Sequence, residues 1–150
     1  MFQEWTLAQA GDLYRIPYWG AGYFGLSEEG KVTVGVDFPS GRVEVPLLDI
    51  LSGMYQRGLR APALLRVENL LYAQITRIHE SFHAAIANLD YQGAYRGVFP
   101  IKVNQQRQVV EEITAFGARY SHGLEAGSKA ELIIALFALA GRDGLIICNG

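Results

Sequence analysis

Little in this chain argues for a membrane, a disulfide or nucleic acid. It holds one cysteine, Cys148, so no disulfide can form within the chain. No apolar run approaches bilayer-spanning length. The start, Met1-Phe2-Gln3-Glu4-Trp5, has neither the basic region nor the apolar core of a secretory leader. The 13 lysines and arginines are outnumbered by 15 acidic residues, so no basic field points to nucleic acid. There is no internal repeat and no low-complexity tract. The 150 residues are half hydrophobic and 19% charged, enough for a domain with a real core. A reducing cytoplasm is the expected compartment, with neither membrane nor nucleic acid as partner.

Two regions read differently, 1–45 and 46–150. The first is rich in glycine and aromatics, including Tyr14, Tyr18, Trp19, Tyr23 and Phe24. Ser27-Glu28-Glu29-Gly30 marks a turn, Val32, Val34 and Val36 alternate, and Pro39-Ser40-Gly41 marks another turn. A small β segment is expected there. From Pro46 the period changes. Leu47, Ile50, Leu51 and Met54 stripe a short helix that Gly58 ends. A strand is expected at 63–67, then a helix over 68–89 striped by Leu71, Ile75, Ile78, Phe82, Ile86 and Leu89. Further strands are expected at 96–103, 122–126 and 145–148. Between them lie a helix carrying Val109, Val110, Ile113 and Phe116, closed by Gly117, and one opened by the capping box of Ser128 and Glu131 and ending at Gly141. The order β-α-β-α-β-α-β means an α/β fold with parallel strands. It is either an interrupted barrel or a small doubly wound domain.

Lys102 stands near the carboxyl end of an apolar strand in Tyr95-Arg96-Gly97-Val98-Phe99-Pro100-Ile101-Lys102-Val103-Asn104-Gln105. In barrels of alternating strands and helices that end faces the active site. An amine there suits Schiff-base chemistry with a carbonyl cofactor; the competing reading is a solvated surface lysine. Gly20-Ala21-Gly22-Tyr23-Phe24-Gly25 fits the dinucleotide glycine pattern but lacks a strand before it and a helix after it. His79-Glu80-Ser81-Phe82-His83 fits H-E-x-x-H, with Glu111 or Glu112 as candidates for a third zinc ligand. Glu80 falls roughly opposite the apolar stripe, so solvated histidines on the helix flank are expected instead. Cys148 reads as a small core residue, His122 as a turn residue or an active-site edge, and Arg66 as the end of the first parallel strand.

Gly97-Val98-Phe99-Pro100-Ile101-Lys102-Val103-Asn104-Gln105 resembles the cofactor-lysine segment of biosynthetic arginine decarboxylases. Gly123-Leu124-Glu125-Ala126-Gly127-Ser128-Lys129-Ala130-Glu131-Leu132 resembles the segment that follows it. Tyr14-Arg15-Ile16-Pro17-Tyr18-Trp19-Gly20-Ala21-Gly22-Tyr23-Phe24-Gly25, Gly58-Leu59-Arg60-Ala61-Pro62 and Ile147-Cys148-Asn149-Gly150 are similar too. The resemblance implies a pyridoxal 5′-phosphate lyase converting L-arginine to agmatine and CO₂, in putrescine and spermidine synthesis. It implies Lys102 as the Schiff-base lysine and Glu125 as the acid beside it, holding its released amine or merely capping the next helix. It also implies Mg²⁺, a cytoplasmic homodimer or homotetramer, and about half of a (β/α)₈ barrel of the alanine-racemase-like class over 46–150. The family's members are several times longer, so a truncated amino-terminal segment is expected. A non-catalytic interaction module derived from the enzyme, and a zinc hydrolase built on His79, Glu80 and His83, are the alternatives.

Overall fold

A computed structural model describes residues 5–150, which separate into two compact units, one ending at Arg66 and the other beginning at Val67. The first unit opens with α1 (Leu7–Leu13) and α2 (Ile16–Trp19). Thr6 and Gln9 cap α1 reciprocally: Gln9 N–H donates to Thr6 Oγ1 at 3.2 Å, and Thr6 N–H to Gln9 Oε1 at 2.9 Å. Three antiparallel strands follow, β1 (Phe24–Leu26), β2 (Val32–Phe38) and β3 (Gly41–Pro46), in that order across the sheet. Gly30, with φ +78°, makes the turn between β1 and β2, and Gly41, with φ +122°, the turn into β3. The β reading of this region is met, although α1 and α2 were not expected.

Pro46 stands as the N-cap of α3 (Leu47–Gln56). Leu47, Ile50, Leu51 and Met54 form its half-buried side, as their spacing predicts. Gly58, with φ +79°, ends it, its N–H donating to Tyr55 O at 3.0 Å. Because α3 packs on β2 and β3, it belongs to the first unit, which therefore extends past the expected boundary at Pro46. The strand expected at 63–67 is absent. Those residues are mostly exposed, have no regular structure and join neither sheet, so apolar composition alone does not make a ladder there.

The second unit contains α4 (Glu68–Asn88), β4 (Val98–Pro100), α5 (Arg107–Gly117), β5 (Gly123–Ala126), α6 (Lys129–Ala138) and β6 (Ile146–Cys148). The strands are parallel, in the order β4-β5-β6, with Pro100 opposite Glu125 and Glu125 opposite Ile147. Both crossover helices cover the same face. Val110 of α5 and Ala135 and Ala138 of α6 share one buried cluster with Ile101, Leu124 and Leu139. Side chains alternate along a strand, so Glu125 and Ile147 point to the other face.

The buried side of α4 is turned by roughly 45°, at 100° per residue, from the stripe its hydrophobic residues predict. Ile75 and His79 are buried, whereas Ile78, Phe82 and Leu89 are exposed. Polar contacts hold this orientation: Tyr120 Oη donates to Thr76 Oγ1 at 3.3 Å, and Tyr72 Oη donates to Glu112 Oε2. That carboxylate, with burial adding to its effect, pushes the Tyr72 phenol up to about 12.

Candidate active site at the carboxyl ends of the parallel strands

Lys102 does not lie within the strand. β4 stops at Pro100, which has no N–H for a ladder, and Ile101–Val103 forms a 3₁₀ turn. Ile101 anchors that turn in the core, fully buried, while Lys102 turns outward, its side chain 60% exposed. Asn104 N–H donates to Ile101 O at 3.1 Å, and Asn104 Oδ1 accepts from Gln106 N–H at 3.0 Å, leading the chain into α5. Glu125 projects from β5 with only 9% of its side chain exposed, and its Oε1 lies 3.7 Å from Lys102 Nζ. Asn149, just beyond β6, donates from Nδ2 to the same Oε1 at 3.2 Å. Three neighbouring strands thus deliver an amine, a carboxylate and an amide to one point.

Such a pair stabilises little. With the lysine largely in water it contributes at most about 1 kcal/mol. Chemically it offers an accessible amine with a fixed acceptor beside it, able to hold a proton at Nζ. Asn149 was not assigned a role from sequence, although the similar run Ile147-Cys148-Asn149-Gly150 contained it. The sequence marks Glu131 only as part of a helix cap. Ser128 Oγ does accept from Glu131 N–H at 3.2 Å, but the Glu131 carboxylate bonds elsewhere: Oε2 accepts from Gly127 N–H at 2.7 Å and Oε1 from Gln105 Nε2 at 3.3 Å.

The histidines lie at the opposite end of the sheet. His122 immediately precedes β5, and Gly97 immediately precedes β4. His79, expected in solvent, is fully buried: its Nε2 is 2.9 Å from His122 Nδ1, and Tyr120 stacks on it at 4.5 Å. Gly97 leaves room for the pair, since a Cβ there would meet His122 Nδ1 at 2.6 Å. Burial holds both imidazoles below their usual pKa, each also disfavoured by a neighbouring histidine, and brings His122 down to about 4. His122 directly follows the left-handed turn residue Ser121 and is buried at the end of the sheet opposite Lys102.

The H-E-x-x-H residues do not converge. Glu80 and His83 are exposed, and the proposed third ligands are occupied elsewhere, Glu111 with Arg107 at 2.7 Å and Glu112 with Tyr72. Among the described residues no group of three or more His, Cys, Asp or Glu side chains could hold a metal ion. In the glycine motif a helix precedes and a strand follows, the reverse of a dinucleotide loop. Cys148 is exposed rather than in the core, because β6 is an edge strand that α6 covers only in part. Arg66 lies outside any strand. No helix among the described residues is long and apolar enough to cross a membrane.

No family model matches the chain. Curated proteins do. It is 45% identical over 148 residues to the biosynthetic arginine decarboxylase of Gloeobacter violaceus, covering 99% of this chain and 23% of that protein. It is 45% identical over 147 residues to that of Thermosynechococcus vestitus, covering 98% of this chain and 23% of that protein. The chain is similar to one segment of biosynthetic arginine decarboxylases. The crystal structure of the biosynthetic arginine decarboxylase from Campylobacter jejuni superposes with a TM-score of 0.78 at 33% identity, covering 91% of this chain and 22% of that one. The decarboxylase-like chain spans about a quarter of the length of these relatives.

Proposed function

We propose that this chain carries the lysine-bearing part of an arginine decarboxylase, a pyridoxal 5′-phosphate lyase that converts L-arginine to agmatine and CO₂ for putrescine and spermidine synthesis. The observation that carries the reading is the meeting of Lys102 and Glu125 at 3.7 Å, at the carboxyl ends of adjacent parallel strands. The residues fit an aldehyde cofactor. Lys31 is engaged with Glu29 at 2.9 Å and Asp49 at 3.6 Å in the other unit, and Lys129, which opens α6 just beyond β5, makes no ion pair among the described residues. Lys102 alone combines an accessible amine with a buried carboxylate. When bound, pyridoxal phosphate supplies an electron sink for the pair left by departing CO₂. Lys102 provides the amine of attachment, Glu125 holds a proton at Nζ, and Asn149 fixes the Glu125 carboxylate.

A barrel of the alanine-racemase-like class is the architecture that suits this sheet. Consecutive strands are neighbours, and α5 and α6 cover one face. A doubly wound sheet would carry helices on both faces. The cytoplasmic location and the homo-oligomer belong to the same reading. For the magnesium that the resemblance implies, no cluster of three or more His, Cys, Asp or Glu side chains forms among the described residues.

Borohydride trapping tests the proposal. The 150-residue chain, incubated with pyridoxal phosphate, reduced and digested, should carry the label on the Lys102 peptide and little on those of Lys31 and Lys129. Lys102→Arg should remove it. Even labelling of all three lysines, or label that survives Lys102→Arg, counts against the assignment.

A further inference from the structure

We infer that Glu131 is a positioning residue that sets the separation of Lys102 and Glu125, resting on the reading of those two as the reacting pair. Glu131 is 92% buried yet makes no ion pair among the described residues. A carboxylate so placed is costly unless its oxygens are used. The helix start does not require it, since Ser128 Oγ already accepts from Glu131 N–H. In a capping box the acid would return to the N–H of the cap residue itself. Here it reaches one residue further back, to Gly127 N–H at 2.7 Å, in the loop that leaves β5 two residues after Glu125. Its other oxygen takes Gln105 Nε2 at 3.3 Å, three residues after Lys102. One rigid carboxylate therefore ties the loop carrying the amine to the loop following the acid.

The third strand end joins the same arrangement. A Cβ on Gly127 would lie 3.3 Å from Asn149 O and 3.6 Å from Glu131 Oε2, so Gly127 is held between them. Asn149 in turn donates to Glu125. Displacing the Gln105 loop would move Lys102 away from Glu125 without touching either residue.

The test uses the full chain and four variants: Glu131→Ala, Glu131→Gln, Gln105→Glu and the exchange Gln105→Glu with Glu131→Gln. Two quantities are read in each. One is the rate of pyridoxal phosphate trapping at Lys102 relative to Lys31 in the same molecules. The other is hydrogen-exchange protection of the Gly127 amide, with circular dichroism confirming the fold. Glu131→Ala and Gln105→Glu should lower the Lys102 ratio by roughly ten-fold or more, the scale of an ångström-level misplacement. Glu131→Ala should also release Gly127. In Glu131→Gln the new amide can accept from Gly127 N–H and donate to a flipped Gln105, so both readouts should stay near wild type. The exchanged pair keeps one donor facing one acceptor and should recover what Gln105→Glu loses. A general loss of packing would slow every variant and would not be repaired by the exchange. A wild-type ratio in Glu131→Ala, or no recovery in the exchange, overturns the inference. If wild type itself shows no preference for Lys102, the cofactor reading fails instead. Gly127 exchange then decides Glu131 separately: unchanged protection in Glu131→Ala overturns the tie between the loops.

Discussion

Lowering the pH from 7 to 5 tests the buried pair of His79 and His122. Their facing nitrogens, 2.9 Å apart, share one proton. His79 Nδ1 is buried without a partner, and a bare lone pair there costs less than an unpaired N–H. His79 therefore donates from Nε2 and His122 accepts at Nδ1. Protonating His122 would set two N–H groups against each other in a site lined by Tyr120, Tyr95 and Gly97. The folded state accordingly holds His122 down to about 4, whereas the unfolded chain titrates at its ordinary value of 6.5. The unfolded state binds more protons between those values, so stability rises with pH across that window. It is fully present above 6.5 and lost as pH falls toward 4. From pH 7 to pH 5 the loss through His122 is about 2 kcal/mol, with His79 adding in the same direction. Against the 5–15 kcal/mol or so of an ordinary domain, that is large. Urea unfolding of the second unit, followed at both pH values, measures it. His122→Asn keeps an acceptor near the position of Nδ1 and removes the titrating ring, so the acid-induced loss should shrink by about 2 kcal/mol. An unchanged loss in that variant, or a His122 ring that titrates near 6.5 in the folded protein by NMR, would refute the reasoning.

Two stability changes should follow from single contacts. Ser128→Ala removes the side-chain oxygen that caps α6 and should cost about 1 kcal/mol in urea unfolding, most of it regained by Ser128→Asp. Gly97→Ala drives a Cβ to 2.6 Å from His122 Nδ1 and 3.1 Å from His79 Nε2, and should destabilise by roughly 1–3 kcal/mol in thermal melts, while His83→Ala on the exposed flank should be near neutral.

The elements that were legible in sequence are those whose signals are local. Pro46 and Gly58 bracket α3, Ser128 opens α6, and the turn glycines Gly30 and Gly41 separate the strands where expected. Thr6-Leu7-Ala8-Gln9 carries the same kind of capping signature as Ser128 and Glu131. That local signature marks α1, although the aromatic-glycine run that follows it points to β structure. What failed depends on distant partners. A strand at 63–67 needs a neighbouring ladder, which composition does not supply. The α4 stripe runs through hydrophobic residues, but the helix turns toward contacts made by Tyr72, Thr76 and His79. A histidine counts as polar in any periodicity, and only its partner 43 positions away makes it a core residue. Likewise Lys102 was visible as a residue near a strand end, whereas Asn149 and Gln105 became visible only when three loops were brought together.

The two ends of the parallel sheet obey different physical logic. At the amino ends the polar groups are neutral and packed: burial keeps both imidazoles uncharged, aromatic rings enclose them, and Gly97 leaves no slack. At the carboxyl ends Glu125 is almost wholly buried beside an amine that stays mostly in water. An apolar side chain in place of a buried carboxylate is often neutral or stabilising. A pair with one member in solvent returns little Coulomb energy. Folding alone therefore gives no reason for Glu125 to be acidic or for Lys102 to face it, and none for Asn149 to hold the acid's remaining contact. The proposed role, an amine reached from outside by an aldehyde with a fixed acceptor behind it, would account for all three.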